Sequence, residues 1–135
     1  MKTDALHIPL SVYNEMVQHG LEELPYEACG ILSGREKQVS TLWKLQNEKR
    51  ARNSYFVSAQ TVSAVLDEIN GNGEKPIAIY HTHPTAKAVP SQIDIDCHPH
   101  SSIYMIIISY QKKIPVARCF FILEKSFQEL LLKIE

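Results

Sequence analysis

The sequence has few cysteines, and their spacing offers no way to pair them. The three, Cys29, Cys97 and Cys119, lie far apart and form no Cys-x-x-Cys pair. An odd count at this spacing argues against a disulfide framework and against a structural zinc knuckle. Cys97 has His98 and His100 as close neighbours, but no further carboxylate or thiol at ligand spacing completes a metal site there. We therefore expect three free thiols.

An excess charge of one sign and a long apolar run are also missing. The chain carries 14 basic and 15 acidic residues, so its formal net charge is −1 and it offers no electrostatic footprint for nucleic acid or an anionic membrane. The longest apolar run, residues 103–108, is too short to cross a bilayer, and residues 1–5 show no signal-peptide pattern. We expect one domain over residues 1–135, located in the cytoplasm, that binds neither nucleic acid nor membrane.

The apolar periodicity predicts a mixed sheet flanked by helices. Ser11 is expected to cap a first helix over residues 12–24, which Gly20 bends or breaks, and Ser58 precedes a second apolar pattern at helical spacing. Residues 127–134 fit either a strand or a terminal helix. The predicted strands lie at residues 27–34, 39–45, 53–57, 76–80, 103–110 and 116–124.

Two histidines follow the predicted strand over residues 76–80. His81 and His83 are two residues apart, so on a strand end their side chains share a face. A His-x-His pair by itself is most often hydrogen-bonded without a metal. Ser91 is positioned to cap a short helix that carries Asp94 in its first turn, where an acid alone would merely complement the helix dipole. The coincidence of Asp94 with both histidines favours a metal site.

Two neutral imidazoles and one carboxylate form a usual catalytic zinc shell that keeps a fourth position for water. We therefore predict His81, His83 and Asp94 as ligands of Zn²⁺. The water needs a general acid/base, for which Glu27 is the best candidate, although a solvent-facing strand end explains an acid at this position slightly better. The Ser91 hydroxyl suits donation to an oxyanion as well as helix capping, and the two roles are compatible.

This set of residues resembles the motif of the JAMM metalloproteases, also called the MPN-plus or Mov34 group. The matching positions are Glu27, then His81-x-His83-Pro84, then Ser91-x-x-Asp94. The resemblance implies an α/β/α sandwich with a mixed central sheet, akin to cytidine deaminases. It also implies zinc on His81, His83 and Asp94, acid/base catalysis by Glu27, and a tetrahedral intermediate steadied by Ser91.

The same resemblance implies cleavage of peptide or isopeptide bonds at the C-terminal tail of a ubiquitin-like protein. The compact chain is most similar to small bacterial members, which trim ubiquitin-like sulfur carriers. Two alternatives stay open: a non-catalytic MPN-type binding domain, and a metal-dependent hydrolase of another substrate class. A nucleoside deaminase is set aside because its Pro-Cys-x-x-Cys pair is missing. The exposed face of the first helix or the edge of strand 39–45 would be suitable for a homodimer.

Overall fold

The structure, a computed structural model, describes residues 5–49 and 51–135. Its strands form one mixed sheet. Helices α1, α2 and α3 span Leu10–Glu23, Ala59–Gly71 and Gln92–Asp96. The strands in chain order are β1 Ala5–Ile8, β2 Cys29–Arg35, β3 Gln38–Leu45, β4 Lys75–His83, β5 Tyr104–Ser109, β6 Val116–Ile122 and β7 Phe127–Ile134. None of the helices in these two ranges is long and apolar enough to cross a membrane.

The sheet is mixed, as predicted, but it closes on itself. Its strand order is β1-β3-β2-β4-β5-β6-β7, and β1 pairs in parallel with both β3 and β7. Strand β2 runs antiparallel to β3 and β4, whereas β4 and β5 are parallel. The predicted mixed sheet with helices is confirmed, whereas the predicted α/β/α sandwich did not include the closure of this sheet into a barrel. The closure arises because residues 127–134, which fitted either a strand or a helix, form a strand that pairs with β1 along Ala5–Ile8.

Helices cover both faces of this sheet. Ile106 and Ile107 are adjacent on β5 and lie in different hydrophobic clusters, because successive strand residues point to opposite faces. Helix α1 packs through Val12 and Met16 into the cluster of Ile106, while α3 packs through Ile95 into the cluster of Ile107. Burial on two sides explains why residues 103–108 form an unbroken apolar run.

Helix α1 differs from its prediction at the start. It begins at Leu10 with Pro9 as the N-cap residue, and no side chain caps it, so the prediction of Ser11 as the cap is wrong. The helix also continues through Gly20. A Cβ at Gly20 would overlap the Tyr110 side chain, whose hydroxyl donates to the Val17 carbonyl at 2.7 Å. Close approach of an aromatic ring therefore explains this glycine.

The strand predicted at residues 53–57 is wrong, because this segment forms a loop before α2. The Asn47 Oδ1 atom accepts hydrogen bonds from the backbone N–H groups of Phe56 and Lys49, and the Phe56 carbonyl accepts from Glu48 N at 2.8 Å. These local bonds take the place of strand pairing. Ser58 caps α2 by accepting from Thr61 N, and this helix confirms the apolar pattern at helical spacing that follows Ser58.

Candidate metal centre

Strand β4 holds both histidines on one face of the sheet. The strand continues through His83, beyond the end predicted at residue 80, and lies between β2 and β5. His81 pairs with Cys29 on β2 and with Ile107 on β5. The His81 side chain is fully buried, and that of His83 is 6% exposed. Both imidazoles are thus fixed by a strand that is paired on both sides.

Helix α3 brings Asp94 to these histidines through a capping box. The Ser91 hydroxyl accepts from Asp94 N at 3.1 Å, and Asp94 Oδ2 accepts from Ser91 N at 2.9 Å. This reciprocal pair satisfies two backbone donors that a helix start leaves free. Ile95 anchors the short helix in the core. Ser91 therefore caps the helix as predicted, and its cap orients the Asp94 carboxylate.

Three potential ligand atoms converge at this point. His81 Nε2 lies 3.0 Å from Asp94 Oδ2, His83 Nε2 lies 3.2 Å from the same oxygen, and the two Nε2 atoms are 3.2 Å apart. Ligands of one tetrahedral zinc ion at the usual bond lengths of about 2.0–2.1 Å lie at similar separations from each other. In residues 5–49 and 51–135, this is the only group of three or more His, Cys, Asp or Glu side chains arranged to hold a metal ion.

The electrostatics of the three groups support an anionic Asp94. Burial acts to raise the pKa of Asp94, but hydrogen bonds with His81 and His83 outweigh it and leave that pKa well below its ordinary value. Burial lowers the pKa of His81 despite the nearby Asp94 carboxylate. Burial also acts to lower the pKa of His83, but hydrogen bonds with Asp94 and the Lys87 carbonyl outweigh this effect and raise that pKa. One carboxylate thus faces two imidazoles, a donor set that fits a divalent cation.

A backbone carbonyl selects the tautomer of His83. His83 Nδ1 lies 2.7 Å from the Lys87 carbonyl oxygen, which only accepts hydrogen bonds. Nδ1 therefore carries the proton, and the Nε2 lone pair is left for a metal, as is usual for metal-bound histidines. The ring of Tyr55 packs against His81 with centroids 5.1 Å apart and planes inclined by 31°.

Glu27 lies just before β2 and is 2% exposed, so the solvent-facing alternative is wrong. Its main chain is held from two sides: Asn47 Nδ2 donates to the Glu27 carbonyl at 2.9 Å, and the neighbouring Ala28 N donates to Thr82 Oγ1 at 2.8 Å. Its Oε1 is buried and finds no hydrogen-bond partner among the described residues. A buried, unpaired carboxylate oxygen that interacts electrostatically with His83 and Asp94 fits a site that holds a metal and water.

Burial raises the pKa of Glu27 from 4.5 to about 7, although the nearby His83 opposes the shift. Asp94 also acts to raise it, and Lys49 to lower it. A carboxyl group with a pKa near neutrality exchanges protons readily at physiological pH. The acidity of Glu27 therefore suits proton transfer near neutral pH.

Four residues that contribute to this centre were not predicted from the sequence. Thr82 points to the opposite face from the histidines, Asn47 comes from the loop after β3, and Tyr55 and the Lys87 carbonyl belong to irregular segments. The pattern of β4 could have suggested Thr82, because a residue between two ligands must face the other side. The other three carry no local signal.

An apolar cavity of about 390 Å³ adjoins the ligand cluster. Asp94 forms part of its wall, beside Tyr55 and the exposed Ile93. Cys97, which sequence reasoning considered as a possible ligand, is exposed and lines this cavity rather than joining a metal cluster. Cys29 and Cys119 are buried free thiols, as expected.

Comparisons with known proteins agree with this picture. The model of a family described as prokaryotic homologs of the JAB domain matches residues 9–122. A Mycobacterium tuberculosis protein named CysO-cysteine peptidase is 27% identical over 106 residues, which cover 77% of this chain and 73% of that protein. A Thermus thermophilus protein named probable TtuB-protein conjugate cleaving protease is 31% identical over 91 residues, covering 67% of this chain and 61% of that one.

Solved structures show the same fold. A protein from Desulfitobacterium hafniense superposes with a TM-score of 0.88 at 24% identity, covering 96% of this chain and 92% of that chain. A JAB1/MPN domain protein from Archaeoglobus fulgidus gives a TM-score of 0.65 at 21% identity, with 96% and 100% covered.

Proposed function

The chain belongs to the family of prokaryotic homologs of the JAB domain, and on this premise we propose that it is a zinc-dependent peptidase acting on a ubiquitin-like protein. Its substrate is the C-terminal tail of a ubiquitin-like sulfur carrier, cut at a peptide or isopeptide bond. The convergence of His81, His83 and Asp94 beside the buried Glu27 carries the proposal. Two relatives are named CysO-cysteine peptidase and probable TtuB-protein conjugate cleaving protease, and these names support this class of substrate.

The proposal treats residues 1–135 as a single domain that works in the cytoplasm, with a fold related to that of cytidine deaminases. Its partners are the carrier tail and, in a homodimer, a second copy of the chain. Strand β3, considered above as a dimer edge, has β2 on one side and meets β1 at Gln38 on the other. The exposed face of α1 is therefore the better candidate for self-association.

His81, His83 and Asp94 would hold the zinc ion through two Nε2 atoms and one carboxylate oxygen. A bound zinc ion supplies Lewis acidity, which polarises the scissile carbonyl and makes water more acidic. Around it, the chain itself contributes pre-set geometry. The Lys87 carbonyl fixes the tautomer of His83, and the capping box fixes the carboxylate of Asp94.

Glu27 is the proton carrier in this proposal. Its carboxylate accepts a proton from the attacking water, and the resulting carboxylic acid then donates that proton to the nitrogen of the leaving group. The pKa of about 7 suits both steps, because the group neither holds nor releases its proton too firmly near neutral pH. Hydrogen bonds with Asn47 and Thr82 hold the main chain from which the carboxylate extends.

Ser91 is proposed to stabilise the oxyanion that forms when water adds to the carbonyl. Its oxygen accepts from Asp94 N, which leaves the hydroxyl proton available to donate outward. The residue is exposed, so a substrate can reach it. One hydroxyl group thereby serves as a helix cap through its lone pair and as an oxyanion donor through its proton.

The apolar cavity beside Asp94 offers a place for the substrate tail. Its lining combines the exposed side chains of Phe56 and Ile93 with the ring of Tyr55, which also packs on His81. A tail that lies along this wall runs past the metal ligands. Because the wall is mostly apolar, we propose that it binds apolar side chains that flank the scissile bond.

The test is cleavage of a ubiquitin-like sulfur carrier that extends beyond its terminal Gly-Gly, followed by mass spectrometry. The wild-type protein with zinc is expected to shorten the carrier, and Glu27→Gln is expected to leave it intact. Carrier that binds tightly but keeps its mass would point to the non-catalytic MPN-type binding domain. Hydrolysis of small amides without any action on carriers would point to a hydrolase of another substrate class.

A further inference from the structure

Ser109, the last residue of β5, makes no hydrogen bond with the ligand atoms or the Glu27 side chain, yet a chain of hydrogen bonds through residues 86 and 87 connects it to His83. It pairs with His83 in the parallel register of β4 and β5, and it is buried. Its hydroxyl donates to the Ala86 carbonyl at 2.6 Å and accepts from Gln111 N at 3.2 Å. The hydroxyl therefore ties the loop after His83 to the end of the sheet.

That loop carries the group that orients His83. Ala86 is followed by Lys87, whose carbonyl accepts from His83 Nδ1 at 2.7 Å and from Val89 N at 2.8 Å. The Ala86 carbonyl belongs to the peptide group that joins Ala86 to Lys87, so holding it restricts the position of the next carbonyl. A displaced Lys87 carbonyl would release the imidazole from its fixed tautomer and orientation.

Residues 85–87 are exposed, so packing does little to hold them. The anchors beyond them are Ala88, which is buried beside Ile95, and the bond from Tyr110 N to the His83 carbonyl at 3.0 Å. These anchors fix the two ends of the turn. The bond from Ser109 joins its exposed middle to the sheet, next to the carbonyl that the imidazole needs.

We infer that Ser109 is a positioning residue for the metal centre: through the Ala86 and Lys87 peptide groups it holds the His83 imidazole ready to bind the ion. The inference rests on the proposed zinc site and extends it to a residue outside the family motif. It does not require Ser109 to touch the substrate or the metal.

If Ser109 had only a structural role, Ser109→Ala would lower the stability of the fold without changing the metal centre. Ser33 provides the matched control, because it is a buried strand serine whose hydroxyl also makes two hydrogen bonds. It donates to Glu74 Oε1 at 2.7 Å and accepts from Trp43 Nε1 at 2.7 Å. It pairs with Pro76 at the start of β4, whereas the histidines lie at the end of that strand.

The experiment measures zinc affinity of the full chain by competition with a chromophoric chelator. Outer partners of metal-bound histidines typically contribute 10–100-fold in affinity, and for the more remote Ser109→Ala we expect a loss of about tenfold. Ser109→Thr, which keeps the hydroxyl, is expected to retain most of the affinity. Ser33→Ala is expected to lower the urea midpoint to a similar extent and leave zinc affinity unchanged. Absorption bands of the cobalt-substituted protein report the ligand geometry and are expected to change only in Ser109→Ala.

Unchanged zinc affinity in a folded Ser109→Ala protein would overturn the inference and leave the proposed function intact. Equal losses of affinity in Ser109→Ala and Ser33→Ala would also overturn it, since they would reflect general destabilisation. If the extra methyl of Ser109→Thr prevents folding, the comparison of Ser109→Ala with Ser33→Ala still tests the role of Ser109. A wild-type protein without measurable zinc affinity would contradict the metal centre itself.

Discussion

Replacing Glu27 by glutamine is expected to stabilise the metal-free protein at neutral and alkaline pH while abolishing cleavage. Burial raises the pKa of this carboxyl group from 4.5 to about 7 in the folded protein. Above pH 7 the fold must therefore hold a buried carboxylate that the unfolded chain solvates better. A difference of this size corresponds to about 3 kcal/mol in the free energy of unfolding.

Proton linkage determines whether this carboxyl group adds or removes stability as the pH rises. A carboxyl group whose pKa is raised by folding contributes stability that is fully present below about pH 4.5 and is lost as the pH rises through about 7. Glutamine has no such titration. The gain in stability of Glu27→Gln over wild type should therefore be near zero at pH values below the ordinary pKa and should approach about 3 kcal/mol above neutrality.

Urea unfolding in the presence of a chelator, repeated across this pH range, measures the effect. Glu124→Gln is the control, because it removes an exposed carboxylate and surface changes of this kind usually alter stability by less than about 0.5 kcal/mol. Added zinc should reduce the advantage of Glu27→Gln, since a nearby cation favours the carboxylate. Parallel pH profiles for wild type and Glu27→Gln would refute the reasoning.

The remaining predictions concern a helix cap and a close contact. Ser91→Ala should lower kcat by about 100-fold or more if the hydroxyl stabilises an oxyanion. The control Ser58→Ala, which removes the cap of α2, should cost about 1 kcal/mol of stability and leave kcat unchanged. Equal kcat values in Ser91→Ala and Ser58→Ala would contradict the role of Ser91. Gly20→Ala should destabilise the fold by about 1–3 kcal/mol, measured by urea unfolding, because its Cβ overlaps Tyr110. A Cβ at Gly71 would meet no atom within 4 Å, so Gly71→Ala should leave stability unchanged or raise it slightly. Similar losses of stability in Gly20→Ala and Gly71→Ala would show that overlap with Tyr110 is not the cause.

The ligand cluster was predictable from sequence because local rules position its members. Strand alternation puts His81 and His83 on one face, and a Ser-x-x-Asp cap fixes Asp94 in the first turn of a helix. The structure brings these three side chains together as the spacing indicated. The burial of Glu27 was not predictable in this way, because no local pattern marks it, and Asn47, which donates to its main-chain carbonyl, lies 20 residues further along the chain.

The closure of the sheet could not be derived from local patterns. It depends on pairing between Ala5–Ile8 and Phe127–Ile134, which lie near opposite ends of the described chain. The segment 53–57 was misread for a related reason. Its aromatic and β-branched residues favour a strand, but the side chain of Asn47 accepts from its backbone and holds it as a loop. In both places, partners outside the segment determined its structure.

Zinc titration of the chelator-treated protein, with carrier cleavage followed by mass spectrometry in the same samples, tests the central claim most directly. The account predicts no cleavage without metal, a rise in rate that saturates at one zinc per chain, and loss of both zinc binding and cleavage in Asp94→Ala. Full cleavage in the presence of chelator, or undiminished zinc binding by Asp94→Ala, would contradict it.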